Sequence, residues 1–550
     1  MPNLNAEHIG SVIREHLPEF AVPGALSVRP GYLLADGWIT DTPAIVVTAA
    51  RDASLPALRD ALPAEVDGLP VDVRVASAAK ERMLTEPAAF ARTAGPAPDR
   101  GAVPEFADEY ELAGAVGGAA SGGPAASGAP GEPAPLEASR ARASIVPRVD
   151  FAAAAKPQLP YAPPPGAALT PVSGTMRVTL SASPDSGWPT LGAFLSGVRE
   201  TLTVGLYDFT SRHILQTVET VLAGRTVRLV LDHPAKNPTA DQTDEQTVAT
   251  LTTAFGDHLT QAWALSRMDP LAAAWVFPSA YHIKVAVRDS SAVWLSSGNW
   301  NNSNQPDIDP VTTPADAEAA RSGDRDWHVV IENEQLARTF EAFLLNDLAV
   351  AAQHQVTTPA AGPVPALLAP LATTPPYQRF FAADTAERQL TVTPLLTPDA
   401  GSYVPHILDL IRSATTSLLM QFQYIELPKT VADAPAEFLA LIHAVIDRQQ
   451  AGVDVRIIMS QFETAGYLEK LQAEGLDVVN RVKLQNNVHN KGIVVDGRAA
   501  LVSSQNWSPA GTLTNRDAGV ILENAEIAAY FTQIFEHDWA ALASRSVAPD

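Results

Sequence analysis

A chain of 550 residues, 46% hydrophobic and 18% charged, holds enough apolar material for two or more packed domains and is not disordered throughout. Its net charge of −23 argues against wrapping nucleic acid through clustered Lys and Arg, and against docking on anionic membranes. It contains no cysteine, which excludes disulfides, thiol catalysis and cysteine-ligated metals.

The opening segment, MPNLNAEHIGSVIREHLPEF, lacks the apolar core of a secretory leader. No run of about 18 apolar residues suggests a membrane span. A cytoplasmic chain is expected, with export lacking a leader left open. Residues 1–90 read as a small α/β module. An amphipathic helix (Ile9, Val12, Ile13, Leu17) leads to a strand AIVVTAA, a helical SLPALRDAL and a strand VDVRVAS. The module shows no catalytic set, so docking of an unknown partner, or regulation, is expected of it. Residues 91–170 are rich in Ala, Gly and Pro and read as a flexible linker, stiffening near Pro163–Pro165.

From residue 171 the chain parallels itself. VTLSASPDSG (178–187) matches TVTPLLTPDAG (391–401), and further strands pair off down the sequence. Lobe 1 is expected over 171–350 and lobe 2 over 386–545, joined by a Pro-rich crossing at 351–385. Each lobe alternates strands and helices and should form a mixed, largely buried sheet. Asn333 and Asn524 suit helix N-caps, and the apolar spacing behind them is that of core packing.

One pattern occurs twice: His-x-Lys, four residues, Asp, six residues, Ser-Ser-x-Asn. The copies are His282, Lys284, Asp289, Ser296, Ser297, Asn299 and His489, Lys491, Asp496, Ser503, Ser504, Asn506. The offset is constant, since 489 − 282 and 506 − 299 both equal 207. Each copy reads as a strand, a tight turn and a returning strand, and Asp496-Gly497 favours a type I′ turn. Alternation along a strand puts each His and its Lys on one face. Folding the hairpin about residue 497 sets 505 opposite His489, with Asn506 beside it. Two such clusters of imidazole, ammonium, hydroxyl and carboxamide would form one phosphate-sized pocket, with His282 and His489 facing each other.

At these residues the chain resembles the phospholipase D superfamily, whose signature is two HxKx4D motifs each trailed by Ser/Thr-x-Asn. The resemblance spans about residues 171–545 and departs where Ser296 and Ser503 replace a frequent Gly. It implies an α/β fold of two duplicated lobes with mixed sheets flanked by helices, paired about a pseudo-twofold axis, beside the small N-terminal α/β module. It also implies a hydrolase that forms a phosphohistidine on His282, with His489 as the acid. Lys284 and Lys491 supply fixed charge, Asn299 and Asn506 donate amide hydrogens, and Ser297 and Ser504 help at the same oxygens. No metal and no cofactor is expected.

Asp289 and Asp496 are expected to hold the turns. Asp326 or Asp517, at the start of the next strand, is expected to orient a histidine, the alternative being surface pairing with Arg325 and Arg516. The remaining histidines, among them His213, His233, His328 and His354, read as ordinary surface or core residues. The leading expectation is hydrolysis of a phospholipid headgroup diester. A metal-independent nuclease of the same fold and a phosphatidyltransferase are the alternatives.

Overall fold

The computed structural model describes residues 6–86, 110–111, 158–232, 241–269, 272–277, 279–353, 375–399, 402–428, 431–460 and 463–547. Most of the expected linker and of the Pro-rich crossing, with His233 and His354, lies outside these. The chain forms two compact units. The first comprises Met1–Ala152, Thr464–Ala473 and Val547–Asp550, and the second Ala153–Glu463 and Glu474–Ser546.

In the first unit, helix Ala6–Phe20 packs Ile9, Val12 and Ile13 against strands Ala25–Ala35 and Trp38–Ala49. Strand Leu69–Val75 runs parallel to the second of these. Strand Ala25–Ala35 is hidden at the level of sequence, because Pro30-Gly31 interrupts its pattern. Gly31 sits there for close approach: a Cβ would meet Val46 Cγ2 at 2.6 Å and Glu469 Oε1 at 2.8 Å. Residues 464–473, expected within lobe 2, belong to this unit instead. Glu469, almost fully buried, pairs with Arg29 (2.6 Å) and Arg74 (3.1 Å). Among the described residues of the unit nothing supports the docking expectation.

The second unit is built on one 14-stranded sheet. Lobe 1 contributes β1 (Val172–Ser183), β2 (Thr201–Leu206), β3 (Thr226–Leu231), β4 (Leu259–Trp263), β5 (Lys284–Arg288), β6 (Ala292–Ser296) and β7 (Asp326–Glu332). Lobe 2 contributes β8 (Asp384–Thr397), β9 (Ser417–Phe422), β10 (Asp454–Ser460), β11 (Val482–Gln485), β12 (Lys491–Val495), β13 (Ala499–Ser503) and β14 (Asp517–Glu523). Their order is β11-β10-β9-β12-β13-β14-β8-β1-β7-β6-β5-β2-β3-β4, so the second half mirrors the first. The centre is the antiparallel pair β8–β1, from Asp384↔Leu180 to Val392↔Val172. An antiparallel central pair is what a twofold relation between lobes requires. The outer strands β2-β3-β4 and β9-β10-β11 are parallel, so the sheet is mixed.

Helices Glu334–Ala352 and Ala525–His537 follow β7 and β14 and are capped by Asn333 and Asn524, whose side chains accept the Leu336 (2.9 Å) and Ile527 (3.1 Å) amides. Phe340, Phe343 and Leu344 on the first helix share one apolar core with Phe531 and Phe535 of the second. Trp327 of β7 stacks on Phe531 across the lobes, with centroids 4.5 Å apart. The same ring requires Gly492, where a Cβ would come within 2.3 Å of it. The end of the expected linker is no linker at all. Leu159 is buried and bonded to Trp275 O (2.8 Å), and Tyr161 packs on Phe277 (4.8 Å). Aliphatic and aromatic side chains at 159 and 161 give that Pro-rich stretch something to bury. Among the described residues no helix is long and apolar enough to cross a membrane.

Candidate active site

Both motifs form the expected hairpins. Gly492 pairs with Val502 and Ile493 with Leu501, so the fold centres on residue 497. Asp496 (φ 51) and Gly497 (φ 60) both occupy the left-handed region, as a type I′ turn demands. The first hairpin turns through Asp289 (φ 51) and Ser290 (φ 50), neither of them glycine. Such backbone costs free energy unless neighbours fix it. Here the aspartates do so. Asp289 accepts the amides of Arg199, Glu200 and Thr201 at 2.8–2.9 Å. Asp496 accepts those of Thr415, Thr416 and Ser417. Burial pushes both carboxyls up, but these amides outweigh it and hold both below the usual range. Each aspartate ties its turn to the chain entering β2 or β9.

The segments leading into the histidines cross between lobes. Tyr281 bridges to Arg516, and Arg325 bridges to Val488. The Arg516 amide bonds Ala280 O (2.9 Å) and the His489 amide bonds Arg325 O (3.1 Å). Each histidine therefore lies beside the aspartate of the other lobe. His282 Nδ1 is 2.8 Å from Asp517 Oδ1, and His489 Nδ1 is 3.1 Å from Asp326 Oδ1. An ionised carboxylate only accepts, so it fixes the Nδ1–H tautomer and leaves Nε2 with its lone pair. Ser297 and Ser504, expected beside the phosphate, turn elsewhere. Each donates its hydroxyl to Asp326 or Asp517, at 2.6 Å. A buried carboxylate needs donors, and these hydroxyls sit just past the end of the neighbouring strand.

Both lysines are buried and donate to the carbonyl of their own histidine. Their surroundings differ. The Lys491 ammonium lies 3.2 Å from each ring nitrogen of His489 and 3.2 Å from Gln423 Oε1. The Lys284 ammonium lies over the Tyr207 ring (5.4 Å), and that ring meets His282 edge-on (5.1 Å). Tyr207 directly follows β2, as Gln423 directly follows β9. The two histidines differ in exposure too: His282 is 1% exposed and His489 13%. Burial, then Lys491, push His489 down to about 4; Asp326 opposes this and Lys284 adds to it. Asn299 and Asn506 are buried, and Asn299 is anchored by its amide on Asn304 Oδ1 (2.9 Å). Among the described residues no group of three or more His, Asp or Glu could hold a metal ion.

Arg325 and Arg516 are not surface partners of the neighbouring aspartates. Both are fully buried, and each ties acids from both lobes together. Arg325 binds Asp185 (2.9 Å) and Asp538 (2.8 and 3.1 Å). Arg516 binds Asp347 (2.8 and 2.7 Å) and Asp399. The signal in the sequence is the repeated Arg-Asp at the start of β7 and β14, together with the repeated Pro-Asp at 184–185 and 398–399.

His328, two residues beyond Asp326, is a satisfied core histidine. Ser183 Oγ (2.9 Å) and Ser296 Oγ (2.6 Å) meet its two nitrogens. Burial pushes it down to about 4. Unfolded histidines protonate near 6.5, so between pH 6.5 and about 4 the unfolded chain binds more protons than the folded one. The contribution of His328 and His489 is complete above pH 6.5 and lost as pH falls through that window. Each pH unit of the window is worth roughly 1.4 kcal/mol per histidine, while the raised carboxyls of Asp347 and Glu463 act in the opposite sense, so the histidine share is read by difference: His328→Gln should remove about that much per pH unit from the pH dependence of urea unfolding between pH 6.5 and 4. An unchanged pH dependence in His328→Gln would contradict the buried, neutral state of that ring.

A family model described as "Cardiolipin synthase, PLD-like domain" matches residues 407–539, which include the second motif. The mitochondrial cardiolipin hydrolase of Chlamydomonas reinhardtii is 31% identical over 98 residues. That match covers 17% of this chain and 44% of the relative, less than half its length. Among solved structures, a phosphatidylserine synthase from Haemophilus influenzae is 16% identical over 67% of this chain and 88% of its own, with a TM-score of 0.43. The phospholipase D family member Nuc from Salmonella typhimurium is 22% identical over 29% of this chain and 100% of its own, with a TM-score of 0.23.

Proposed function

We propose that this chain, which belongs to the phospholipase D superfamily, hydrolyses the headgroup diester of a phospholipid through a phosphohistidine. The observation that supports the reading is the crossed pairing His282–Asp517 and His489–Asp326, in which each motif's histidine rests on the aspartate of the other lobe. In this reading the His282 Nε2 lone pair attacks phosphorus. The P–O bond to the headgroup alcohol breaks, and His489 gives that oxygen a proton. Water then attacks phosphorus, His489 takes its proton, the N–P bond breaks and His282 leaves. Lys284 and Lys491 face the charge that builds on the non-bridging oxygens. Before substrate arrives, burial and the two lysines favour the neutral form of His489. The arriving diester anion offsets the lysine charges, which lets His489 hold the proton it must deliver. Asp517, behind His282, stabilises the positive charge that ring gains on phosphorylation.

The test is a panel of phosphatidylcholine, phosphatidylethanolamine, cardiolipin, single-stranded DNA and duplex DNA, each with product analysis. Release of a free headgroup alcohol is the expected result. Cleavage of DNA alone would establish a nuclease. Exchange of the headgroup for an added alcohol, without net hydrolysis, would establish a transferase.

A further inference from the structure

Side chains alternate along a strand, so Asn490, between His489 and Lys491, lies on the face those two do not use. There it starts a buried polar chain. Asn490 Nδ2 donates to Gln421 Oε1 (3.1 Å). Gln421 Nε2 donates to Asp538 Oδ2 (2.9 Å) and Gln485 Oε1 (3.3 Å). Asp538 is the acid that Arg325 holds at 2.8 and 3.1 Å. All of these side chains are at most 1% exposed. The chain then closes on its own beginning. Arg325 O accepts the His489 amide (3.1 Å), and Asp326, the next residue, holds His489 Nδ1 (3.1 Å). His489 is therefore tied to the pair Arg325–Asp326 twice, directly by its ring and amide, and through Asn490, Gln421 and Asp538.

Lobe 1 packs the same place without polar groups. At the constant offset of 207, Asn490 and Gly492 correspond to Ile283 and Val285. Gly492 pairs with Gln421 and Val285 with Gly205, so Gly205 stands where lobe 2 has Gln421. A Cβ on Gly205 would meet Ile283 Cγ2 at 3.0 Å, and Ile283 belongs to the apolar core. The arginine clasp of that lobe is reached ahead of the histidine, from the Tyr281 hydroxyl to Asp347 (3.2 Å). Packing alone thus does not call for Asn490 and Gln421. Buried carboxamides cost free energy unless bonded, and Asn490 Oδ1 has no hydrogen-bond partner among the described residues. Gly492 also serves the arrangement, since a Cβ there would come within 2.9 Å of Asn490 Nδ2. What such a network gives in return is one fixed geometry.

We propose that Asn490 and Gln421 are positioning residues that hold the His489 imidazole on Asp326, so that Nε2 is the nitrogen presented to the diester. The kinetic consequence rests on the phosphodiesterase reading; the geometric one does not. NMR of the whole chain, with histidine isotope-labelled at both ring nitrogens and signals assigned by His282→Ala and His489→Ala, reports the tautomers near neutral pH. The wild type should hold His489 as the Nδ1–H form. Asn490→Leu, and separately the near-isosteric Gln421→Met, should each introduce its Nε2–H form and leave His282 unchanged. Turnover of phosphatidylcholine, whose leaving alcohol needs a proton, should fall about 10²-fold in both variants, the cost of a small misplacement. The first release of nitrophenol from phosphatidyl-p-nitrophenol should stay close to wild type. Equal losses with the two lipids, or a His489 tautomer that neither substitution changes, would overturn the proposal. If the wild type cleaves neither lipid, the phosphodiesterase reading fails and the tautomer alone decides whether the two residues position His489.

Discussion

His282→Ala should abolish turnover of every diester the protein accepts, because no covalent intermediate can then form. His489→Ala should differ by substrate. With an alkyl leaving group it should lose about 10²–10⁴-fold, the usual worth of general acid–base help. With a nitrophenyl ester, whose leaving group needs no proton, bond cleavage should persist and the adduct on His282 should accumulate, since its breakdown needs a base. Intact mass followed by peptide mapping reads this directly. An adduct on His489 would reverse the two roles and leave a two-histidine mechanism in place. An active His282→Ala protein would end that mechanism.

The second large effect concerns stability. Arg325→Ala should cost about 3–5 kcal/mol, because it strips the charge partner from two buried carboxylates. Asp185 and Asp538 are 0% exposed, and Arg325 contacts both. The comparison is Arg338→Ala, which breaks an exposed pair with Glu334 and should change stability by less than about 1 kcal/mol. Urea unfolding of the two variants decides the matter. If Arg325→Ala costs no more than Arg338→Ala, the buried clasp does not hold the lobes.

Features carried by local spacing are legible in the sequence. The two motifs, the hairpin centre at residue 497 and the caps at Asn333 and Asn524 depend on neighbours a few residues away. The aspartates at the turns can be read as structural for the same reason. What escapes depends on distant partners. An Arg-Asp dipeptide looks like exposed charge until the fold puts Asp347 and Asp399, or Asp185 and Asp538, around the guanidinium. Ser297 and Ser504 look like phosphate ligands because their spacing from Asn is fixed, yet their nearest acceptors are carboxylates on the next strand. Strand Ala25–Ala35 is masked by its Pro-Gly, whose logic lies in Glu469, more than four hundred residues further on. That each histidine takes the other lobe's aspartate, 235 or 163 residues away, no local pattern can announce.

The crossed pairing has a consequence for ancestry and division of labour. Two separate copies of one lobe, joined about a twofold axis, would each complete the other's histidine in this way, as isologous interfaces do. In such a pair every substitution appears twice, so its two histidines stay chemically identical until substrate breaks the tie. A single chain carrying both lobes escapes that constraint. Tyr207 against His282 and Gln423 against Lys491, with a long connection in one lobe and a short one in the other, are differences no symmetric pair could hold. Fusion frees the two halves to differ, which the proposed division between attack in one half and proton handling in the other requires.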